Sequence, residues 1–416
     1  MNNERISTQN LQMVLGEVLA STPVTDIHTH IYPAEFEELS LWGIDELLTY
    51  HYLVAEFFRF SDMAYDDFYN LPKGRQAELV WGTLFVDNSP VSEAARGVLT
   101  ILDKLGLDVA SRDLQSYRAY FAAMDRRDYI GKVLEISGVN QIVMTNDPFD
   151  RTEREYWETQ GNSDTRFKAV LRLDPLLNNY AHSWPQLVEW GYAVEATMNT
   201  QSIGEIRRFL NDWIIKLDAL YVAASLPPEF AYPEDSLRGK CIRECILPVC
   251  LETGRPFALM VGSKPAVNAK LRVAGWGAGR ANATAVENLC RENPDNKFLV
   301  TMLSRENQHE LCVLARKFRN MLLFGCWWFL NNPVIIEDMT RMRMEMLGFS
   351  FVPQHSDARV IDQLIYKWCH SKAIMHKVLF DKYSDLLASG WHLTRDEITR
   401  DVESWLGKTF WRFIGR

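Results

Sequence analysis

The sequence contains no apolar run long enough to span a bilayer. The first candidate, residues 11–19, is interrupted by Gly16 and Glu17 and follows a polar start that carries Glu4 and Arg5. Neither a signal peptide nor a membrane segment is expected there. Lys and Arg form no block, and the formal net charge is −9. That balance argues against a nucleic-acid partner and against docking on an anionic membrane, although a few Arg in a pocket can still set a local field for a small anion. No internal repeat and no low-complexity segment stands out. Cysteine is scarce and odd in number, with seven residues scattered along the chain. This usage points to reduced thiols and a cytoplasmic protein. Cys241, Cys245 and Cys250 look at first like a metal cluster, but they fall in an expected helix over residues 236–252. Cys241 and Cys245 share a face there and Cys250 sits off it, which suits small core residues better than ligands.

Apolar substance is plentiful. Hydrophobic residues make up 47% of 416 residues, enough for a large buried core and incompatible with disorder. The length fits one barrel with an insertion or two compact domains. Short apolar runs rich in β-formers recur at 24–30, 141–146, 168–174, 219–226, 256–262, 297–304, 321–326 and 351–357. Runs such as Phe298-Leu299-Val300-Thr301-Met302-Leu303 are almost continuously apolar, the pattern of parallel strands covered on both faces. Helical stretches, such as 306–318 and 360–379, separate them. Eight β-then-α units predict an α/β protein built on a (β/α)8 TIM barrel.

One interval breaks that rhythm. About a hundred residues, roughly 33–135, lie between the first two strands and carry helical patterns at 44–60 and 112–124. A structureless loop of that length is improbable, so a helical insertion over the strands' C-terminal end is expected. Residues from about 393 to 416 predict further helices packed on a single barrel domain covering 1–416.

The strongest chemical signal is Thr25-Asp26-Ile27-His28-Thr29-His30. Residues two apart on a strand share a face, so His28 and His30 are expected to face the barrel interior, with Asp26 beneath them as a hydrogen-bond partner. Two imidazoles at a strand end can hold one divalent ion, or simply bond to polar neighbours. A second signal is Gln354-His355-Ser356-Asp357-Ala358-Arg359. Barrel closure sets the last strand beside the first, where Asp357 can join His28 and His30; the competing role is an N-cap of the following helix.

His-x-His on strand one with Asp on strand eight resembles the amidohydrolase superfamily. Within it the chain resembles the uronate isomerases, through the segments above together with Leu48-Thr49-Tyr50-His51-Tyr52, Thr145-Asn146-Asp147-Pro148, Leu171-Arg172-Leu173-Asp174-Pro175 and Gly325-Cys326-Trp327-Trp328-Phe329. These motifs span nearly the whole chain. The resemblance implies a metal-dependent aldose–ketose isomerase that interconverts D-glucuronate and D-fructuronate, and D-galacturonate and D-tagaturonate. The two-metal hydrolases of the superfamily need a Lys after strand four and His after strands five and six. The corresponding ends, Ser225-Leu226-Pro227, Val261-Gly262-Ser263 and Leu303-Ser304-Arg305, supply none of them. One metal ion, zinc, is therefore expected on His28, His30 and Asp357. The chain departs from resembling isomerases in lacking the His after strand five.

Moving a proton from C2 to C1 of a sugar acid requires a base, stabilisation of the enediolate oxygens and a grip on the remote carboxylate. Asp357 is the candidate base and Arg359, two residues on, the candidate enediolate partner. Tyr52, with His51 to orient it, matches the family's Tyr-His-Tyr segment and is the candidate for moving the hydroxyl proton. Arg172 suits a bidentate contact to the carboxylate, or an ion pair with Asp174. Trp328 is a candidate wall or stacking surface, Arg305 a second anion contact, and Asn146 and Asp147 further pocket residues. The expected partners are a small-molecule sugar acid and further copies of the same chain. The alternative function is a mononuclear metal-dependent hydrolase acting on a lactone or amide.

Overall fold

The computed structural model describes residues 6–416; Glu4 and Arg5 lie outside them. Among the described residues, seven strands form one parallel sheet in sequence order: β1 (Val24–Thr29), β2 (Val139–Asn146), β3 (Phe167–Arg172), β4 (Val222–Leu226), β5 (Phe257–Val261), β6 (Phe298–Met302) and β7 (Met321–Leu323). Each strand pairs with its sequence neighbours, so the sheet curls. Of the eight expected strands, the last does not form as one. Residues 351–357 make a single parallel bridge, Phe324 to Val352, and then run as irregular backbone. Pro353, with no N–H, sits at the point where pairing stops. The segment nevertheless touches both edges: Val352 N–H donates to the Leu323 carbonyl, and Asp357 N–H donates to the His28 carbonyl.

The two faces of the sheet sort by the period of two. Ala224, Leu259, Val300 and Leu323 stand level on adjacent strands and belong to the large core shared with the surrounding helices. Their strand neighbours Ala223, Ala258, Leu299 and Leu322 belong to a smaller inner core. Apolar residues on both faces explain the unbroken apolar runs of the sequence. The inner core is closed at the strands' N-terminal end by Phe410 and Ile414 of the last helix, Thr409–Ile414, where the Trp411 indole donates to Thr25 Oγ1 (3.1 Å).

Between β1 and β2 the chain forms a series of short helices, including Ile44–Leu48, His51–Phe57, Glu93–Lys104 and Leu114–Ala122, before the helix Arg126–Ser137 leads into β2. Ser92, Asp113 and Asp125 cap three of these helices, each accepting from a backbone N–H of the first turn. The helix after residue 357 starts at Gln363 and runs to Ala388, so Asp357 lies five residues before its cap position, Asp362. The N-cap role considered for Asp357 is ruled out by that distance. No helix of the described residues is long and apolar enough to cross a membrane. The seven cysteines are all free thiols, and Cys241, Cys245 and Cys250 are buried in the large core.

Candidate active site

The site lies where the strands end. In β1 the ladder skips: Asp26 stands opposite Ile142 and Thr29 opposite Met144, so three steps on one strand match two on the other. Such a bulge flips the phase of the side chains. Asp26 consequently faces the helix layer, where its carboxylate accepts from the Trp368 indole (2.8 Å) and from Ser356 N–H (3.1 Å). The expectation that Asp26 lies inward beneath His28 is corrected by this register shift. Its burial pushes the carboxyl up to about 6, against the pull of those hydrogen bonds. Beyond the bulge, His28 and His30 reach one another inside, with ring centroids 5.4 Å apart.

The segment 354–358 brings Asp357 to the same point. His28 Nε2 lies 3.5 Å and His30 Nε2 3.3 Å from Asp357 Oδ1. One ligating atom from each of the three side chains falls within 4.8 Å of the others. The tautomers follow from the partners on the far sides of the rings. The Tyr221 hydroxyl donates to the Ile27 carbonyl (2.8 Å), so its oxygen is left to accept from His28 Nδ1 (3.4 Å). The Thr145 hydroxyl donates to the Thr29 carbonyl (2.8 Å) and so accepts from His30 Nδ1 (2.8 Å). Both Nε2 atoms therefore present lone pairs to a carboxylate oxygen. Burial, with Arg359 adding to it, lowers His30 to about 3. His28 Nε2 and Asp357 Oδ1 have no hydrogen-bond partner although both are buried. Three acceptors converging in this way could hold a cation, and this donor set fits a divalent metal ion.

Both edges of this cluster carry uncommon backbone. Asp357 has φ +53° and Trp328 has φ +47°. Asp tolerates the left-handed region, but for a bulky aromatic it costs on the order of 1 kcal/mol or more, held in place by surrounding contacts. Gly325 has φ +64°, and a Cβ there would lie 1.8 Å from His355 Cδ2. The His355 ring in turn packs 5.0 Å from that of His28. Gly325→Ala is expected to destabilise the fold by about 3 kcal/mol, through overpacking and an unfavourable φ. Chemical denaturation measures this; a change below about 0.5 kcal/mol would show that the contact yields freely.

A cavity of about 210 Å³ opens over the cluster. It is smaller than the usual pocket for a drug-sized ligand, so it suits a small molecule. His28, His30, His51, Asp357, Arg172, Arg359 and Trp328 all line it, as do Trp327 and Trp276. Arg172 follows inward-facing Val170 by two residues on β3, which explains its direction. The ion pair with Asp174 also forms, Nη2 to Oδ2 at 2.5 Å, while Arg172 Nε is buried without a partner. Asp174 is itself fixed by Ser225 N–H (2.8 Å). His51, lowered to about 3 by burial and then by Arg359, has an unpartnered buried Nε2; the buried Trp328 indole N–H is also unpartnered.

Four expected residues, Arg305, Tyr52, Asn146 and Asp147, do not line the cavity. Arg305 begins a 3-10 turn, is 63% exposed and pairs with Asp338 (2.9 Å); it does not reach the cavity. Tyr52 lies behind the wall, its ring 4.6 Å from that of His51, with the ring of Phe329 on its other side. Burial, Tyr50 and Asp357 together push its phenol well up. Tyr50, not singled out from the sequence, lines the cavity instead, along with Ser225 and Ser263. Asn146 and Asp147 serve Glu153, which accepts from the Asn146 amide (2.7 Å) and the Asp147 N–H (2.9 Å). Tyr50 stands in the Tyr50-His51-Tyr52 segment, where nothing local ranks it above Tyr52, and no local pattern marks Ser225 or Ser263 as chemical; only the closing of the insertion and the loops over the sheet brings the three together.

A curled parallel sheet with a His-His-Asp cluster that could hold a metal ion and two Arg at its C-terminal mouth is the frame of an α/β enzyme. Solved structures narrow the class. A uronate isomerase from Bacillus halodurans is 55% identical, with a TM-score of 0.97 over 99% of this chain and 97% of that one. A glucuronate isomerase from Caulobacter crescentus (14% identity, TM-score 0.79, 98% and 94% covered) and a uronate isomerase from Thermotoga maritima (13%, 0.78, 97% and 97%) share the fold. No protein-family model and no curated protein matches the chain. The chain belongs to the uronate isomerase family.

Proposed function

We propose that this protein is an aldose–ketose isomerase that interconverts D-glucuronate and D-fructuronate, and D-galacturonate and D-tagaturonate. The observation that carries this reading is the 55% identity to the Bacillus halodurans uronate isomerase across 99% of the chain. The cavity supports it chemically, because a carboxylate-binding group, a base and an enediolate partner all face the same small volume. Asp357 turns Oδ1 to the imidazoles, which leaves its other oxygen to take the C2 proton and return it at C1. Arg359 steadies the enediolate oxygen, and Arg172 holds the remote carboxylate. Tyr52, oriented by His51, is the candidate for moving the hydroxyl proton; Tyr50, which lines the cavity where Tyr52 lies behind its wall, is the competing hydroxyl, and a Tyr50→Phe and Tyr52→Phe pair separates the two. Trp328 forms the face against which the sugar lies. A divalent ion on His28, His30 and Asp357, for which zinc suits the N/O donors, supplies Lewis-acid polarisation of a substrate oxygen when bound.

Residues 351–358, bonded to both β1 and β7, are read as the eighth stave of a (β/α)8 barrel. On this reading 1–416 is one domain, with the helices at about 33–135 as its insertion and those at about 393–416 as its closure. Seven free thiols support a reducing, cytoplasmic setting. Further copies of the chain are its proposed protein partner, which light scattering tests.

The deciding experiment follows D-glucuronate with the metal-replete protein in heavy water by proton NMR. The keto isomer is expected, with solvent deuterium at the carbon that receives the proton if the base exchanges it. No conversion of either uronate would sink the assignment. Dialysis against a chelator is expected to lower the melting temperature and abolish conversion, and added zinc to restore both. Full activity with less than one metal ion in ten chains would refute the metal's role.

A further inference from the structure

Asp357 owes its position to a residue outside the cavity. The peptide joining Ser356 to Asp357 is pinned at both ends. Its N–H, that of Asp357, donates to the His28 carbonyl (3.2 Å), and its carbonyl, that of Ser356, accepts from Asn331 Nδ2 (3.0 Å). The same amide nitrogen donates to the preceding carbonyl, that of His355 (3.1 Å). This peptide plane sets the left-handed φ of Asp357, so the direction of its carboxylate follows from where the Ser356 carbonyl is held. Asn331 is buried, and each of its polar groups is engaged. Its Oδ1 accepts from Gln354 Nε2 (2.9 Å), its N–H donates to the Trp328 carbonyl (2.9 Å), and its own carbonyl accepts from Lys367 Nζ (3.2 Å). One side chain therefore ties the loop that carries Trp328 to the segment that carries Asp357.

We propose that Asn331 is a positioning residue that aims the Asp357 carboxylate at both the metal site and the substrate's C2 proton. The catalytic half of this inference rests on the isomerase reading; the metal half does not. A backbone held in a sparsely populated conformation needs neighbours that over-determine it, and the two Asn331 donors to the His355 and Ser356 carbonyls are such neighbours. Outer-shell partners of metal ligands act in the same way, and losing one typically weakens metal binding by tenfold to a hundredfold.

The test uses Asn331→Asp, which keeps the acceptor for Gln354 and removes both donors to the carbonyls. Zinc affinity is measured by competition with a chromogenic chelator, and the kinetic isotope effect on kcat with C2-deuterated D-glucuronate. About a tenfold or greater weakening of zinc binding is expected, with kcat down by a similar factor, KM within about threefold and a raised isotope effect. A misaimed base makes proton abstraction slower, whereas a general loss of folded protein lowers the amount of active enzyme without moving the isotope effect. Gln354→Leu removes the donor to Asn331 Oδ1, together with the acceptor of Cys326 N–H, while leaving both Asn331 donors in place; it is expected to shift zinc affinity the same way by about threefold and stands in if Asn331→Asp does not fold. Zinc affinity and isotope effect at wild-type values in either folded variant would overturn the proposal. Wild-type protein that binds zinc but converts no uronate would instead sink the isomerase reading, and leave the zinc measurement to judge Asn331.

Discussion

Asp357→Asn is expected to leave a folded protein whose kcat for uronate isomerisation is lower by roughly a thousandfold or more. The estimate rests on general-base catalysis, which contributes about 10²–10⁴ on its own. The loss should fall at the upper end because the second oxygen of the same carboxylate, Oδ1, stands 3.5 and 3.3 Å from the two imidazoles. The amide removes the base and weakens the anionic ligand together. Folding should not confound the result. Residue 357 has φ +53°, and Asn adopts the left-handed region as readily as Asp. Neither carboxylate oxygen supports the fold through a hydrogen bond from outside the cluster, and Oδ1 is buried without a partner. Steady-state kinetics by NMR, with a melting curve for the folded state, checks this. A kcat within tenfold of wild type would mean that another group takes the C2 proton.

Arg172→Met is expected to lower kcat/KM by about a thousandfold, chiefly through KM. Met keeps much of the side chain's volume but removes the charge. Arg172 is held by Asp174 through one terminal nitrogen, while its buried Nε has no partner. It is therefore aimed and charged but not saturated. Truncating one partner of a desolvated charge pair costs 2–5 kcal/mol, and about 4 kcal/mol corresponds to a factor near a thousand. The effect should sit in KM because the carboxylate is bound equally in ground and transition states. Arg172→Lys should recover only part of the loss, since an ammonium cannot hold two carboxylate oxygens in plane. Zinc affinity should stay at the wild-type value, because β3 contributes nothing to the cluster of His28, His30 and Asp357. A KM within threefold of wild type in Arg172→Met would remove Arg172 from carboxylate recognition.

These two residues also show how far a linear reading reaches. Arg172 was legible because period two on β3 turns every second residue inward, and Val170 and Arg172 obey it. The same rule failed two strands over, on β1. A bulge between Asp26 and Thr29 sends Asp26 to Trp368, which no alternation pattern contains. Arg172 is the last residue of β3, whereas Arg305 lies three residues past β6, beyond the reach of the alternation. Arg305 is lost to the surface because Ser304 ends the extended backbone and the turn Arg305–Asn307 points outward to Asp338. The eighth strand read as well as the other seven. Its backbone bonds are shared between β7 and β1 at different places, and no continuous ladder forms.

The sequence by itself determined the parallel sheet and the residue types of its mouth. Apolar continuity and period two are local properties, and so are His28-Thr29-His30 and the segment ending at Asp357. The tertiary structure alone decided how they work together. It set both His tautomers through hydroxyls from Tyr221 and Thr145, more than a hundred residues away in sequence. It placed Tyr50 rather than Tyr52 on the cavity wall, and it fixed the direction of Asp357 through the amide of Asn331. The physical reason is the range of the forces involved. Burial and alternation act on neighbours along the chain, whereas tautomer, charge and backbone strain are set by whichever groups the fold brings within about 3 Å.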